Sequence, residues 1–451
     1  MVEAAEWKMY IEALKTNFIK LARIDFLQPD GTVAFSIDNN EKNKRSHTFI
    51  QNGGSLTVNL QNGKRRTANI MLSNINNEYE YNVNKVWFGQ QIRLMEGLIL
   101  PNGKEFYLPQ GVFCPVNPEE VLDPKQKTVT MNLEDKWCCL DGTLFGTLDG
   151  IYEIPINTNV FEAIQSVLDL PKGNGYVVDN VKPIFTEYYN EQETVLPDGE
   201  EISDLLTPYT YRCESDEGTY ADIILEMNNI LAGWIGYDQT GRLRLDPSQD
   251  DILDVNKPIQ WQFTPTEGQF LGATYTVKNS DVYNDVIITG ESLDKYANVS
   301  GRAVNLDPAS DTNVRLIGHK IKRESQAGYG SRKQCEALAV FRLKRQTILQ
   351  RSVSIQSTQI FHLVENQLVT IRRPDKPGFP YERHLVTGFT RPIGETGKMT
   401  IQAVSVQDFP VATIIRPLFP RGTLYPSTKL YPSDGKMEHD FSTIRSGQNA
   451  Y

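Results

Sequence analysis

The chain has 451 residues, of which 39% are hydrophobic and 23% charged, with a net charge of −10. At roughly 100–200 residues per domain this length allows about two to four domains. The acidic balance argues against broad, sequence-blind binding to nucleic-acid phosphates or anionic lipid. No stretch nears the ~18 apolar residues of a membrane helix, so no membrane insertion is expected. The start, MVEAAEWKMY, carries Glu3 and Glu6 and has no basic lead into an apolar core, so it does not read as a signal peptide.

In chain order, residues 4–16 set Ala5, Met9, Ile11 and Leu14 at helical spacing and predict an amphipathic helix. The period then becomes two. FIKLARIDFLQPDGTVAFSID alternates around Pro29-Asp30-Gly31, and SLTVNLQNGKRRTANIMLSN around Gln61-Asn62-Gly63; both predict strand pairs joined by a turn. KVWFGQQIRLMEGLILPNGKEFYLPQGVFCPV adds further strands with a turn at Pro101-Asn102-Gly103, and KQKTVTMNLEDKWCCLDG closes the set. Such density of short strands predicts a β-barrel or sandwich.

The texture changes at Asp149-Gly150. NTNVFEAIQSVLDL predicts a helix with Asn157 or Asn159 as N-cap, stopped by Pro171 and Gly173. TEYYNEQETVLPDGEEISD reads as a loop or short hairpin. A helix from about Tyr220 to Ala232 ends at Gly233, with Ile224, Met227 or Leu225, and Leu231 as its core stripe, and a hairpin follows on Asp238–Gly241. Together these predict a small α+β domain. Strands return from Ile259, and a polar segment near 291–313 reads as a long loop. SRKQCEALAVFRLKRQTILQR predicts a helix with Ala337, Ala339, Val340, Leu343 and Ile348 inward, and Arg332, Lys333, Arg342, Lys344 and Arg345 outward. That basic face suits solvent or an acidic protein neighbour better than nucleic acid. Three alternating runs, in SVSIQSTQIFHLVENQLVTIRR, YERHLVTGFTRP and KMTIQAVSVQD, finish a second β-rich region.

No readable catalytic arrangement emerges. The five histidines are scattered, and neither HExxH, GxSxG, GxGxxG nor a P-loop pattern occurs. Asp246–Asp251 lacks the ligand spacing of a calcium loop and reads as a solvated turn. Glu134-Asp135 reads as a pair of exposed acids at a strand end. The five cysteines, Cys114, Cys138, Cys139, Cys213 and Cys335, lack disulfide-ladder or zinc-knuckle spacing and are expected reduced and mostly buried. No catalytic residue, cofactor or metal site is assigned.

After Asp408 the chain carries LFPRGTLYPSTKLYPSDG, three hexads that each run leucine, aromatic, proline. Proline every sixth residue excludes helix and central strand. In polyproline II, six residues make two turns, so Leu418, Leu424 and Leu430 would share one edge at ~19 Å spacing. Phe419, Tyr425 and Tyr431 would share the next. The six residues are the candidate partner-binding set, on an arm that lays them into grooves of a neighbour.

Several stretches also resemble a known family. DKWCCLDG at 135–142 is similar to the close of the first tube-type domain of phage tail hub proteins. TYADIILEMNNILAGWIGYDQTGRLRLDP resembles their next helix and hairpin, and SDVYNDVIITGES resembles a strand of theirs through Tyr283, Asn284, Val286, Ile287, Ile288 and Gly290. LVENQLV at 363–369 resembles their last barrel, with Glu365-Asn366-Gln367 where glycine is usual. The match covers most of residues 16–410 and points to the baseplate hub or tail-tip hub proteins of tailed bacteriophages, which also form the N-terminal part of siphophage tail-associated lysins.

The resemblance implies a mainly β chain with α+β parts: a tube-type β-barrel domain with an N-terminal helix over 1–150 and a small α+β domain over 151–255. A second tube-type β-barrel domain, with a loop and helix insertion, would follow over 256–410, and an extended proline-rich arm over 411–451. It implies a virion structural protein, not an enzyme, assembled in the bacterial host cytoplasm and placed at the distal end of the tail. A homotrimer would join the hexameric tail tube to tip or fibre proteins, meet the tape measure protein, and line a channel that genomic DNA passes without specific binding. Too few residues follow Asp408 for a lysin's enzymatic domain. The alternatives are a tail-associated cell-wall hydrolase and a carbohydrate-binding adhesion protein.

Overall fold

The computed structural model describes residues 4–40, 50–74, 77, 79, 89–123, 126–173, 176–185, 193–195, 201–203, 206–207, 209–214, 218–231, 233–246, 257–277, 282–290, 299–326, 332–348, 351–373, 375, 381–406 and 412–414. The hexads and most of the acidic run after Asp246 lie outside them.

Strands dominate. One large sheet of 14 strands draws on both β-rich regions. Its main path runs Phe270–Val277, Arg351–Ser357, Met399–Ser405, Tyr381–Ile393, Gly54–Asn59, Arg66–Ser73, Gln126–Asp135, Glu105–Pro115, Gln91–Ile99, Lys20–Leu27 and Val33–Asp38. The predicted hairpins around Gly31 and Gly63 are present as antiparallel pairs, Lys20–Leu27 with Val33–Asp38 and Gly54–Asn59 with Arg66–Ser73. Alternation explains why: Leu56, Val58, Ala68, Ile70 and Leu72 all point to one buried face.

The two β-rich regions meet where Tyr381–Ile393 pairs with Gly54–Asn59, in register Phe389 with Val58 and Arg391 with Leu56. The 13-residue strand is long enough to serve both sides: it also pairs Met399–Ser405 and Leu368–Arg372. Gly388 makes the joint. The register shifts between Val386 and Gly388, and a Cβ on Gly388 would come within 2.5 Å of the Val58 carbonyl oxygen. Across the joint the apolar core is continuous, from Ile24, Ile70 and Leu94 to Ile355, Phe361 and Ile401.

The first helix, Ala4–Leu14, closes this core. It buries Leu14 as predicted and packs Met9 and Ile11 part-buried against the core, but Ala5 is exposed, and the buried positions beside Leu14 are Tyr10 and Ala13. Tyr10 wins because its hydroxyl meets polar groups of the second β-rich region: it lies 3.0 Å from Nδ1 of His362 and accepts from the amides of Phe361 and His362 at 3.2 Å.

The α+β part packs the helices Val160–Leu168 and Tyr220–Leu231 on each other and on the hairpin of Trp234–Tyr237 with Leu243–Asp246, around Ile164, Val167, Ile224, Met227, Ile235 and Leu245. Asn159 is the N-cap, accepting from Phe161 N at 2.9 Å, while Asn157 sits in a left-handed turn.

A second α+β part takes in the strand expected at Asp285–Gly290 and the expected helix, and places a further strand where the polar segment near 291–313 reads as loop. Ser300–Asn305 is a strand in a four-stranded sheet with Ile321–Gln326, Asp285–Gly290 and Ala412–Ile414, covered by the helix Arg332–Ile348. Its alternation is carried by Gly301 and Ala303, too small to register as apolar periodicity. Smallness is the requirement: a Cβ on Gly301 would meet the Glu336 backbone nitrogen at 2.2 Å. On the helix, Cys335, Leu338, Ala339 and Leu343 are buried.

Candidate functional site

The candidate site is a set of buried polar seams. They lie where the β-rich regions meet each other and where the first meets the α+β part.

The first seam grows from three strand positions. In Arg66–Ser73, Arg66 shares parity with Ala68, Ile70 and Leu72; in Gln91–Ile99, Glu96 shares it with Ile92, Leu94 and Leu98. In Tyr381–Ile393, Arg391 shares it with Phe389 and Ile393. All three charges therefore enter the core, and Arg66, Glu96 and Arg391 are essentially fully buried. A buried charge survives only when paired. Arg391 Nε donates to Glu96 Oε2 at 2.7 Å, and Lys20 Nζ lies 2.8 Å from Glu96 Oε1. Arg391 also donates to the Ile360 carbonyl at 3.0 Å and to Oε1 of Gln110, and stands 5.1 Å from the Phe389 ring centroid.

Arg66 reaches three parts of the chain. Nη2 pairs with Glu365 Oε2 at 2.5 Å, Nη1 donates to the Gln110 carbonyl at 3.2 Å, and Nε to the Tyr237 carbonyl at 3.4 Å. Gln110 thus accepts from both arginines and donates to the Phe361 carbonyl at 3.0 Å. Burial works to raise the Glu96 carboxyl, but the Arg391 and Lys20 charges outweigh it and leave the group below its usual range. Burial holds Lys20 below the ordinary lysine range, against the pull of Glu96.

The second seam lies at the end of the strand Gln126–Asp135 and in the 3-10 turn Lys136–Cys139. Asp135 is not exposed as read from sequence but fully buried. Its carboxylate accepts from the amides of Arg65 and Arg66 at 2.8 Å and of Trp137 at 3.1 Å. Burial pushes its pKa up to about 6, against those donors. Next to it, Lys136 Nζ donates to both oxygens of Asp179 at 2.6 Å and to the Gly241 carbonyl at 3.3 Å. The Tyr237 hydroxyl donates to Asp179 at 2.8 Å.

The stretches singled out in sequence converge on these seams. DKWCCLDG supplies Asp135 and Lys136, and YDQTGRL supplies Tyr237 and Gly241. Gly241, at φ +78°, closes a turn whose Cβ would strike Val112. Asn366 stands where glycine was expected and takes φ +64°, the left-handed conformation that asparagine tolerates, while its neighbour Glu365 holds Arg66. Asn284 of SDVYNDVIITG is buried and structural: it donates to the carbonyls of Thr312 at 3.0 Å and Gly318 at 2.8 Å and accepts from Lys320 N at 2.7 Å.

The candidate set Leu418, Phe419, Leu424, Tyr425, Leu430 and Tyr431 lies outside the described residues. The residues sequence reasoning missed are Arg66, Glu96, Gln110, Lys136, Asp179, Glu365 and Arg391. Strand parity would have found three of them, since a charge in phase with a run of core residues is a buried charge in search of a partner. All five cysteines are buried, and none is joined in a disulfide. Among the described residues no helix is long and apolar enough to cross a membrane.

No family model and no curated protein matches the sequence. Solved structures do match. The tail protein from Neisseria meningitidis MC58 superposes with a TM-score of 0.52 at 8% identity, over 86% of this chain and 98% of that one. The 43 kDa tail protein of prophage MuSo2 from Shewanella oneidensis gives 0.49 at 11% identity, over 85% and 98%. Prophage tail protein gp18 from Listeria monocytogenes EGD-e gives 0.48 at 7%, over 86% and 94%. Identity this low speaks to fold alone: this chain has the fold of the Neisseria tail protein across nearly the whole of that protein's length.

Proposed function

We propose that this chain is a structural subunit of a phage-type tail tip, a hub that assembles as a homotrimer between a hexameric tail tube and distal tip or fibre proteins. The observation that carries the reading is the fold likeness, which extends over 98% of a tail protein. The seams support it. They fasten two β-rich regions into one sheet, and a chain with two such regions presents six to a sixfold ring when three copies meet. The end strands of the sheet's main path carry exposed apolar side chains, Val33 on one and Leu271 and Tyr275 on the other, which suits contact with further copies.

In this reading the domains follow 1–150, 151–255, 256–410 and 411–451. The trimer surrounds a channel that genomic DNA traverses without specific contacts, and it meets the tape measure protein. The chain performs no catalysis; its buried charges pair across regions and serve assembly rigidity. The protein assembles in the host cytoplasm and ends at the distal tip of the virion. Leu418, Phe419, Leu424, Tyr425, Leu430 and Tyr431 dock the arm on a tip or fibre protein.

Light scattering tests the reading. The expected solution mass is three times the 51.1 kDa chain; a monomer at micromolar concentration that also fails to trimerise on tail-tube rings would overturn it. Because Ala412–Ile414 pairs with Ser300–Asn305, the arm is best removed after Ile414. That truncation is expected to keep the trimer and lose the tip partner.

A further inference from the structure

Cys114 lies on the strand Glu105–Pro115, and Cys138 and Cys139 lie in the turn Lys136–Cys139. The fold brings the three Sγ atoms within 4.8 Å of one another, with Cys114 and Cys139 at 3.6 Å. All three side chains are buried, and no disulfide joins them. Val116, Leu144 and Phe145 pack around them, and the Leu144 amide donates to the Cys138 carbonyl at 2.9 Å, which holds the following loop over the cluster.

A single buried cysteine is an ordinary core residue. Three thiols converging on one point are a donor set. Thiolates sit about 2.3 Å from a zinc ion, so three of them around one ion stand roughly 3.8–4.0 Å apart. The observed cluster is close to that size before any ion enters. Sulfur alone, with neither oxygen nor nitrogen in the set, selects soft ions over hard ones.

We propose that Cys114, Cys138 and Cys139 form a thiolate site for a thiophilic closed-shell metal ion, of which Zn2+ and Cu+ are the two to be distinguished. Each thiol releases its proton to solvent as its sulfur bonds the ion, so Zn2+ displaces up to three protons. No electron is transferred, and no bond breaks except S–H. The site ties a strand of the main sheet to the turn that leads into the α+β part, beside the Lys136–Asp179 pair. An ion there adds to the stability of that junction by mass action.

The test uses the full chain, untagged and reduced, titrated separately with Zn2+, with Cd2+ as its spectroscopic stand-in, and with Cu+ under anaerobic conditions. The expected result is one ion per chain by native mass spectrometry, sulfur-to-cadmium charge-transfer absorption of three-thiolate intensity, and a raised Tm. Cys114→Ser and Cys139→Ser are expected to lose the ion and the Tm shift, while Cys335→Ala keeps both. The arm that binds in competition with a chelator of that ion names the metal. No stoichiometric ion at micromolar metal, or an ion bound without thiolate absorption, overturns the proposal. These two readouts come from the wild type, so they decide even if a serine variant fails to fold.

Discussion

The two seams solve one problem in different surroundings. The Arg66–Glu365 and Arg391–Glu96 pairs lie inside a single large core, where strands from both β-rich regions already share a sheet. The Lys136–Asp179 pair lies between two cores, at the edge of the helical one. Hydrophobic burial is non-directional and would let one paired strand slide along another by two residues with its apolar face still buried. A guanidinium that must meet one carboxylate and one amide oxygen fixes the register. The first seam therefore reads as a device for alignment, and the second as a clamp. Replacing such pairs by well-packed apolar groups is often neutral for stability, whereas removing one partner is not.

That difference sets the order of expected effects. Arg391→Met leaves Glu96 with Lys20 alone and strips Gln110 of a donor. It is expected to cost about 3–5 kcal/mol of unfolding free energy by urea denaturation, the range for breaking a buried pair. The double variant Arg391→Met with Glu96→Leu is expected to recover much of this loss, and no recovery would show that the pair is not what holds the joint. Lys136→Met should cost less, roughly 2–3 kcal/mol, because Asp179 keeps the Tyr237 hydroxyl at 2.8 Å and the Val181 amide at 3.0 Å. Limited proteolysis sharpens the contrast. The Lys136 variant is expected to release fragments of the α+β part while the main sheet stays intact, whereas the Arg391 variant loses both together.

Much of this was readable in sequence. Alternation located the hairpins at Gly31 and Gly63, the two helices of the α+β part stand where the spacing put them, and of the two cap candidates, Asn157 and Asn159, the structure selects Asn159. What stayed hidden had physical reasons. Ser300–Asn305 escaped because a strand pressed against a helix backbone uses Gly301 and Ala303, which carry almost no hydropathy. The single sheet escaped because register between strands more than 300 residues apart, such as Arg391 opposite Leu56, leaves no local trace. Tyr10 escaped as a core residue because its value lies in a hydroxyl bonded to His362, which helical periodicity does not weigh. Arg66, Glu96 and Arg391 were legible by parity as buried charges, but the groups they meet were not.

The contact between the first helix and the second β-rich region carries its own pH dependence. His362 lies under Tyr10, with Trp7 and Trp261 rings at 5.3 and 5.7 Å. Burial, aided by the Arg391 charge, lowers its pKa from 6.5 to about 4. The folded state thus favours the neutral ring. Stability from this group is complete above pH 6.5 and is lost as pH falls from there towards 4, up to about 3 kcal/mol. The measurement is the urea midpoint at pH 7.5 and at 4.5 for the wild type and His362→Gln. The wild type should lose more than the variant over this window; equal losses would assign the acid sensitivity to other groups.

The smallest expected effect isolates local structure from the seams. Asn159 Oδ1 accepts from Phe161 N at 2.9 Å and Glu162 N at 3.4 Å, so it satisfies amides that have no partner within the helix Val160–Leu168. Asn159→Ala is expected to cost about 1 kcal/mol, and Asn159→Asp close to nothing, since either carbonyl or carboxylate oxygen can cap. The helix packs on Tyr220–Leu231 rather than on the main sheet. Its loss should therefore add to that of Arg391→Met, as independent sites do. If the Asn159→Ala and Arg391→Met costs interact by more than about 0.5 kcal/mol, the two sites are energetically coupled across the junction, and the clamp at Lys136 is stronger than its position between two cores suggests.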